Sequence, residues 1–349
     1  MVDSITIGNQ QIGLDQPCFV IAEAGVNHNG DIELAKSLVE IASLSGADAI
    51  KFQTFRADSL VTTTAPKADY QKSTSLDTET QFEMIARLEL SEEMHSTLIN
   101  VSRDYGITFL SSPFDEYSAD LLEDLGIPAF KIPSGEITNH PFLNHVAAKK
   151  KPMLVSTGMS TLSEVSNAVQ IIEQSATSYA LLHCVSNYPA DPNDVNLLAM
   201  RTMESAFQVP VGYSDHTLGN EIPIAAVAMG AHIIEKHFTL NRNMEGPDHS
   251  SSLEPEELKA LVKSIRNVES ALGNGRKYPA ASEMSTANVA RKSLVASQDI
   301  ATGTTLTKDM ITIRRPGTGI APSLSELLIG RLTSKPIFHG DLFSLEMFE

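Results

Sequence analysis

The residues able to do chemistry sit at the ends of short apolar runs. Glu23 ends Phe19-Val-Ile-Ala-Glu, and Lys51 and Gln53 lie in Asp48-Ala-Ile-Lys-Phe-Gln-Thr. Ser112 follows Ile107-Thr-Phe-Leu-Ser. Lys131, Ser134 and Glu136 end the run from Ala129, and Ser156 and Thr157 the run from Pro152. His183, Asn187 and Tyr188 follow Tyr179-Ala-Leu-Leu. Ser214, Asp215 and His216 follow Val209-Pro-Val-Gly-Tyr, and Glu235 and His237 follow His232-Ile-Ile. A buried ion must be paired or used, so this recurrence at the ends of core segments is a signal.

Two cations, Lys51 and Lys131, with the hydroxyls of Ser134, Ser156 and Ser214, make a cradle for a phosphate or carboxylate. The plainer reading of either lysine alone is a salt bridge to a neighbouring glutamate. His216 and His237 end neighbouring runs and together suit one divalent cation such as Mn, Zn or Fe; a single histidine there would more often be a hydrogen-bonded core residue. Glu23 is placed for a general base or for a metal-bound water, or as the partner of a lysine or of Asn27. Asp248, in Gly246-Pro-Asp-His, accepts from a substrate hydroxyl or caps the helix starting near Glu254. Arg315, in Arg314-Arg-Pro-Gly-Thr-Gly, is either a solvated turn residue or a rigid clamp for a carbonyl or carboxylate.

Something must hold these ends together. Eight apolar runs occur between residues 19 and about 272, each followed by a helical pattern such as Leu34 to Leu44. The runs are apolar on both faces, as in parallel strands covered by helices. Eight strand–helix units predict a (β/α)8 TIM barrel, whose strand C-terminal ends form the active face. A doubly wound open sheet is the alternative, but the Gly-x-Gly-x-x-Gly turn after a first strand is missing. A polar insertion is expected from Phe55 to about Thr80. Residues from 273 onward turn Gly-, Ser-, Ala- and Asn-rich. We therefore place the barrel at 1–275, a linker at 276–290 and a small unit at 291–349, with strands from Lys292 and Ile311 and a short helix from Ser323 to Ile329.

Composition narrows the class. The chain has 349 residues and a formal net charge of −17, which argues against nonspecific binding to nucleic acid or an anionic membrane. No apolar stretch is long enough to span a membrane, and the N-terminus lacks the pattern of a secretory signal. Two isolated cysteines, Cys18 and Cys184, fit a reducing compartment. The expectation is a cytoplasmic protein.

In order along the chain, the motifs resemble the sialic acid synthase family. They are Ile21-Ala-Glu-Ala-Gly-Val-Asn-His-Asn-Gly, Lys51-Phe-Gln-Thr-Phe, Lys131-Ile-Pro-Ser-Gly-Glu, Ser156-Thr-Gly-Met, Leu182-His-Cys with Asn187-Tyr-Pro, Ser214-Asp-His-Thr, Glu235-Lys-His-Phe-Thr, Gly246-Pro-Asp-His and Arg315-Pro-Gly. The resemblance implies a barrel followed by an antifreeze-like SAF domain, in a domain-swapped homodimer. It implies condensation of phosphoenolpyruvate with the open-chain aldehyde of an N-acetylated mannosamine-type sugar, with phosphate released by C–O cleavage. His216 and His237 would bind the metal, Mn2+ foremost, with Mg2+ or Co2+ as substitutes. Glu23 would be the base. Lys51, Lys131, Ser134, Ser156 and Ser214 would hold phosphoenolpyruvate. Gln53, Glu136, Asn187, Tyr188 and Asp248 would bind sugar hydroxyls or metal-site water, and Arg315 would reach the N-acetyl carbonyl across the dimer.

Residues 131–139 and 211–219 are similar to the legionaminic acid branch, whose sugar is 2,4-diacetamido-2,4,6-trideoxymannose. The N-acetylneuraminate branch takes N-acetylmannosamine and shares most motifs. Gly135 places the pseudaminic branch third. Two alternatives remain open from the sequence. One is another phosphoenolpyruvate-dependent sugar-acid synthase or a metal aldolase, with Cys184 as a ligand. The other is a non-catalytic binding protein carrying an antifreeze-like module.

Overall fold

The computed structural model describes residues 4–67 and 79–349. It begins with a hairpin of β1 (Ile5–Ile7) and β2 (Gln10–Ile12) that the sequence reading did not anticipate. Eight strands follow: β3 (Phe19–Gly25), β4 (Ala49–Thr54), β5 (Thr108–Pro113), β6 (Phe130–Ile132), β7 (Met153–Ser156), β8 (Tyr179–Cys184), β9 (Val211–Asp215) and β10 (Ile233–His237). They form one parallel sheet in the order β5-β4-β3-β10-β9-β8-β7-β6. β5 and β6 lie side by side, so the sheet is a nearly closed barrel, and the open doubly wound alternative is excluded.

Alternation explains how a core strand carries charge. Residues i and i+2 share a face of a strand. The inward face is apolar at the N-terminal end: Phe19, Ile21, Ala49, Leu110, Ala129, Leu154, Ala180 and Ile233 pack in one cluster. The hairpin supplies Ile5, Ile7 and Ile12 to the same cluster, which plugs that end. One or two steps along the same faces come Glu23, Lys51, Ser112, Lys131, Ser156, Ser214 and Glu235, all buried. The other face packs on helices. In Leu162–Gln174 the buried Val165, Ala168, Val169 and Ile172 follow the spacing of one helical stripe. That helix starts at a capping box of Thr161 and Glu164.

The expected insertion from Phe55 to Thr80 contains a turn of helix at Ala57–Leu60; residues 68–78 lie outside the described residues. Phe55, Ala57, Met84, Ile85 and Leu88 make a separate apolar cluster with Val26. The chain divides into compact units at Met1–Gly273 and Asn274–Glu349. The segment expected as a linker, 276–290, is not structureless: it holds a 3-10 turn at Ala281–Glu283 and a helix at Met284–Ala290. The Glu283 carboxylate accepts from the Ala280 N–H, which caps that start. In the second unit β11 (Ser293–Ala296) and β12 (Ile311–Arg314) pair antiparallel. The helix expected from Ser323 is a 3-10 helix at Pro322–Leu327. Among the described residues no helix is long and apolar enough to cross a membrane.

Candidate active site

A cavity of about 310 Å³ opens at the C-terminal end of the barrel strands. Two lysines and two glutamates form its floor. Lys51 Nζ lies 2.8 Å from Glu23 Oε2 and 3.7 Å from Glu235 Oε2, and Lys131 Nζ lies 3.2 Å from Glu235 Oε1. Lys51 also donates to Ser112 Oγ at 2.9 Å, and Ser214 Oγ donates to Glu235 Oε1 at 2.9 Å. Each lysine therefore has a glutamate partner, and both face the cavity. Glu235 was visible as a strand-end residue, but only barrel closure shows that it bridges lysines from β4 and β6.

The carboxylates are driven apart. Burial pushes Glu23 up to about 7, with Glu235 adding to the rise and Lys51 opposing it. Burial also disfavours the Glu235 carboxylate, but Lys131 and Lys51 outweigh it and hold its pKa at about 2. A pair of acids with separated pKa values is a feature of acid–base sites. Burial lowers the Lys131 pKa despite Glu235, whereas for Lys51 the two carboxylates overcome burial and raise it. Gly25, with φ +53°, leaves room beside this pair; a Cβ there would meet Glu23 Oε1 and His237 Cε1 at 3.3 Å each.

Two imidazoles converge beside the floor. Tyr188 Oη lies 2.7 Å from His216 Nε2 and 2.9 Å from His237 Nε2. His216 Nδ1 donates to the Val185 carbonyl at 2.6 Å, which leaves Nε2 of a neutral ring with its lone pair toward Tyr188. Burial, reinforced by His216, holds His237 well below the ordinary imidazole range, so its ring is neutral at pH 7. Burial opposes the charged form of His216, but Cys184 and the Val185 carbonyl outweigh it and raise its pKa. Two imidazole nitrogens aimed at one point fit a divalent cation. Among the described residues no group of three or more His, Cys, Asp or Glu is placed to hold a metal ion, so for a bound cation the protein would supply two nitrogens, and oxygens would complete the shell. Asp248 is buried against the same cavity, and burial raises its carboxyl to about 6 while His216 opposes the rise. Glu254, not Asp248, is the N-cap of the helix Pro255–Leu272.

Of the expected residues, Glu23, Lys51, Gln53, Lys131, Ser134, Ser156, Tyr188, Ser214, His216, His237 and Asp248 line the cavity. Gln53 Nε2 donates to Glu23 Oε1 at 3.4 Å. Ser134 Oγ accepts from the Gly158 N–H at 3.0 Å, and Ser156 Oγ is buried without a partner among the described residues. Glu136 and Asn187 are not brought to the lining. Glu136 accepts from Asn139 in its own turn at 2.7 Å, and Asn187 is exposed. Arg315 belongs to the second unit, exposed just past β12. Asn27 donates to the Phe238 carbonyl and to the Ser252 hydroxyl, so it is not the partner of Glu23. The sequence reading missed an apolar side of the cavity made by Val26, Phe55, Leu60, Met84, Ile85, Leu88 and Phe114. Its apolar spacing around Met84 to Leu88 was the available signal.

The chain matches the NeuB family over residues 38–277 and the SAF domain over residues 291–349. It is 50% identical to an N,N'-diacetyllegionaminic acid synthase of Legionella pneumophila, over 97% of this chain and 96% of that protein. It is 48% identical to an N,N'-diacetyllegionaminic acid synthase of Campylobacter jejuni, over 90% of this chain and 96% of that one. A crystal structure of an N-acetylneuraminic acid synthetase from Leptospira borgpetersenii, in complex with citrate, superposes with a TM-score of 0.73 at 36% identity, covering 82% of this chain and 95% of that chain.

Proposed function

The chain belongs to the NeuB family, and we propose that it condenses phosphoenolpyruvate with an N-acetylated mannosamine-type sugar to make a nonulosonic acid, releasing phosphate. The 2,4-diacetamido-2,4,6-trideoxy sugar is the first candidate and N-acetylmannosamine the second. The observation that carries this is one cavity holding Lys51 and Lys131 on carboxylate partners beside two converging imidazoles. Such a floor binds a small multiply charged anion and leaves the imidazoles for the second reactant.

Lys51, Lys131, Ser134, Ser156 and Ser214 hold the phosphate and carboxylate of phosphoenolpyruvate. His216 and His237 would hold a divalent ion, Mn2+ foremost, with Mg2+ or Co2+ as substitutes. Bound there, it would supply Lewis acidity toward the sugar aldehyde. Carbon 3 of phosphoenolpyruvate attacks the aldehyde carbon, the C=O electron pair moves to the aldehyde oxygen, which becomes a hydroxyl with the proton that Glu23 removes from water, and positive charge develops at C2. Glu23, poised near neutrality, takes a proton from the water that adds at C2. Its carboxylate also stabilises the developing charge. The C–O bond to phosphate breaks as the product carbonyl forms. Gln53 orients Glu23, and Tyr188 and Asp248 contact sugar oxygens. Arg315 reaches the N-acetyl carbonyl across a homodimer whose SAF domains are exchanged. Free buried thiols at Cys18 and Cys184 suit a cytoplasmic setting.

The test is phosphate release from phosphoenolpyruvate with Mn2+ and each sugar in turn. Release that needs all three components is expected, with the larger kcat/KM for the diacetamido sugar. Folded protein that releases none with either sugar overturns the proposal.

A further inference from the structure

Two charges buried beside the cavity take no part in its lining. Asp215 and Lys236 are each 1% exposed, and they are paired across β9 and β10 by the register of the sheet. Alternation turns them away from the barrel interior, while their neighbours Ser214 and Glu235 face inward. Lys236 Nζ lies 2.5 Å from Asp215 Oδ2. The other carboxylate oxygen accepts from Thr217 N at 3.0 Å and from Thr217 Oγ1 at 2.9 Å. Lys236 closes the ring by donating to the Thr217 carbonyl.

The residue between Asp215 and Thr217 is His216. Its own carbonyl accepts from the Ala190 N–H at 2.9 Å. The backbone before, at and after this imidazole is therefore held, and its partner His237 directly follows Lys236. Desolvation makes such a pair a poor source of stability, since apolar side chains of similar volume fill the space as well or better. Apolar side chains cannot grip the N–H, hydroxyl and carbonyl of one residue.

We propose that Asp215 and Lys236 are positioning residues for the two-imidazole site: the ion pair sets the turn that aims His216 Nε2 at the point His237 Nε2 also faces. This rests on the metal-binding reading of those histidines. It implies that the pair governs metal affinity and leaves the anion floor alone.

The experiment compares the full-length wild type with the double variant Asp215→Leu/Lys236→Met, which removes both charges and keeps apolar volume. Circular dichroism and thermal melting establish folding. Mn2+ affinity is read from the free-Mn2+ electron paramagnetic resonance signal without substrates, and phosphoenolpyruvate affinity by calorimetry without metal. The expected result is a folded variant whose Mn2+ binding is weaker by about 10- to 100-fold, the range for loss of groups that orient metal ligands. Its phosphoenolpyruvate affinity stays within about twofold of wild type on the same argument. A folded double variant that binds Mn2+ like wild type overturns the positioning role while the metal reading stands. Wild type without saturable Mn2+ binding overturns the metal reading, and the positioning role with it. Should the double variant not fold, Asp215→Asn keeps an acceptor for Thr217 but loses the ion pair, and unchanged Mn2+ affinity in that variant overturns the proposal equally.

Discussion

Replacing Glu23 by Gln separates the cost of this carboxylate from its use. Glu23 is 1% exposed, and burial raises its pKa from 4.5 to about 7 against the pull of Lys51. That difference in proton affinity is worth about 3 kcal/mol. Because the pKa rises on folding, the stability contributed by the protonated form is fully present below about 4.5 and is lost as pH rises through about 7. A glutamine keeps the neutral form at every pH. Lys51 loses a carboxylate at 2.8 Å but retains Glu235 at 3.7 Å. The variant should therefore match wild type near pH 4.5 and become more stable above pH 7, by up to about 3 kcal/mol. The same change removes the proposed base, so kcat should fall by about 10²- to 10⁴-fold with phosphoenolpyruvate binding retained. Urea denaturation at pH 5 and pH 8, with turnover at pH 8, reads both effects. A variant less stable than wild type at pH 8 would show that the ion pair with Lys51 outweighs burial. Near-normal turnover would remove Glu23 from the chemistry.

Three further outcomes follow from other parts of the molecule. Cys184 Sγ lies 3.8 Å from His216 Nδ1, on the ring nitrogen committed to Val185, so Cys184→Ser should leave bound Mn2+ unchanged by metal analysis; loss of metal would favour a cysteine-ligated synthase. Arg315→Ala should raise the KM of the sugar by about tenfold or more, as expected when a charged hydrogen bond is lost, and leave that of phosphoenolpyruvate nearly unchanged. An effect confined to phosphoenolpyruvate would contradict the sugar contact. Burial, then His95 and His249, lower the His28 imidazole to about 4, and its Nδ1 accepts from the Gly30 N–H. Stability from this neutral ring is present above about pH 6.5 and lost as pH falls through about 4, about 3 kcal/mol in all. His28→Asn should flatten that acid slope in denaturation curves, and an unchanged slope would acquit His28.

Sequence alone determined what is local. Strand alternation has a period of two residues, so Phe19, Ile21 and Glu23 announce both a buried face and its polar end without reference to any other strand. The same logic put Lys51, Lys131, Ser156, Ser214 and His237 at the C-terminal ends of their strands, where they line the cavity, and eight repeats of it specified the barrel. The early hairpin escaped notice because Ile5, Ile7 and Ile12 are three apolar residues in short strands, with too few positions to show a period. Tertiary structure alone decided which ends meet. Glu235 bridges Lys51 and Lys131 from strands that are far apart in the chain, because the sheet curls and both point inward. Tyr188 stands between the imidazoles, while Glu136 turns to Asn139 and Asn187 to solvent. Those outcomes depend on register and closure summed over the whole barrel, and no window of sequence contains them.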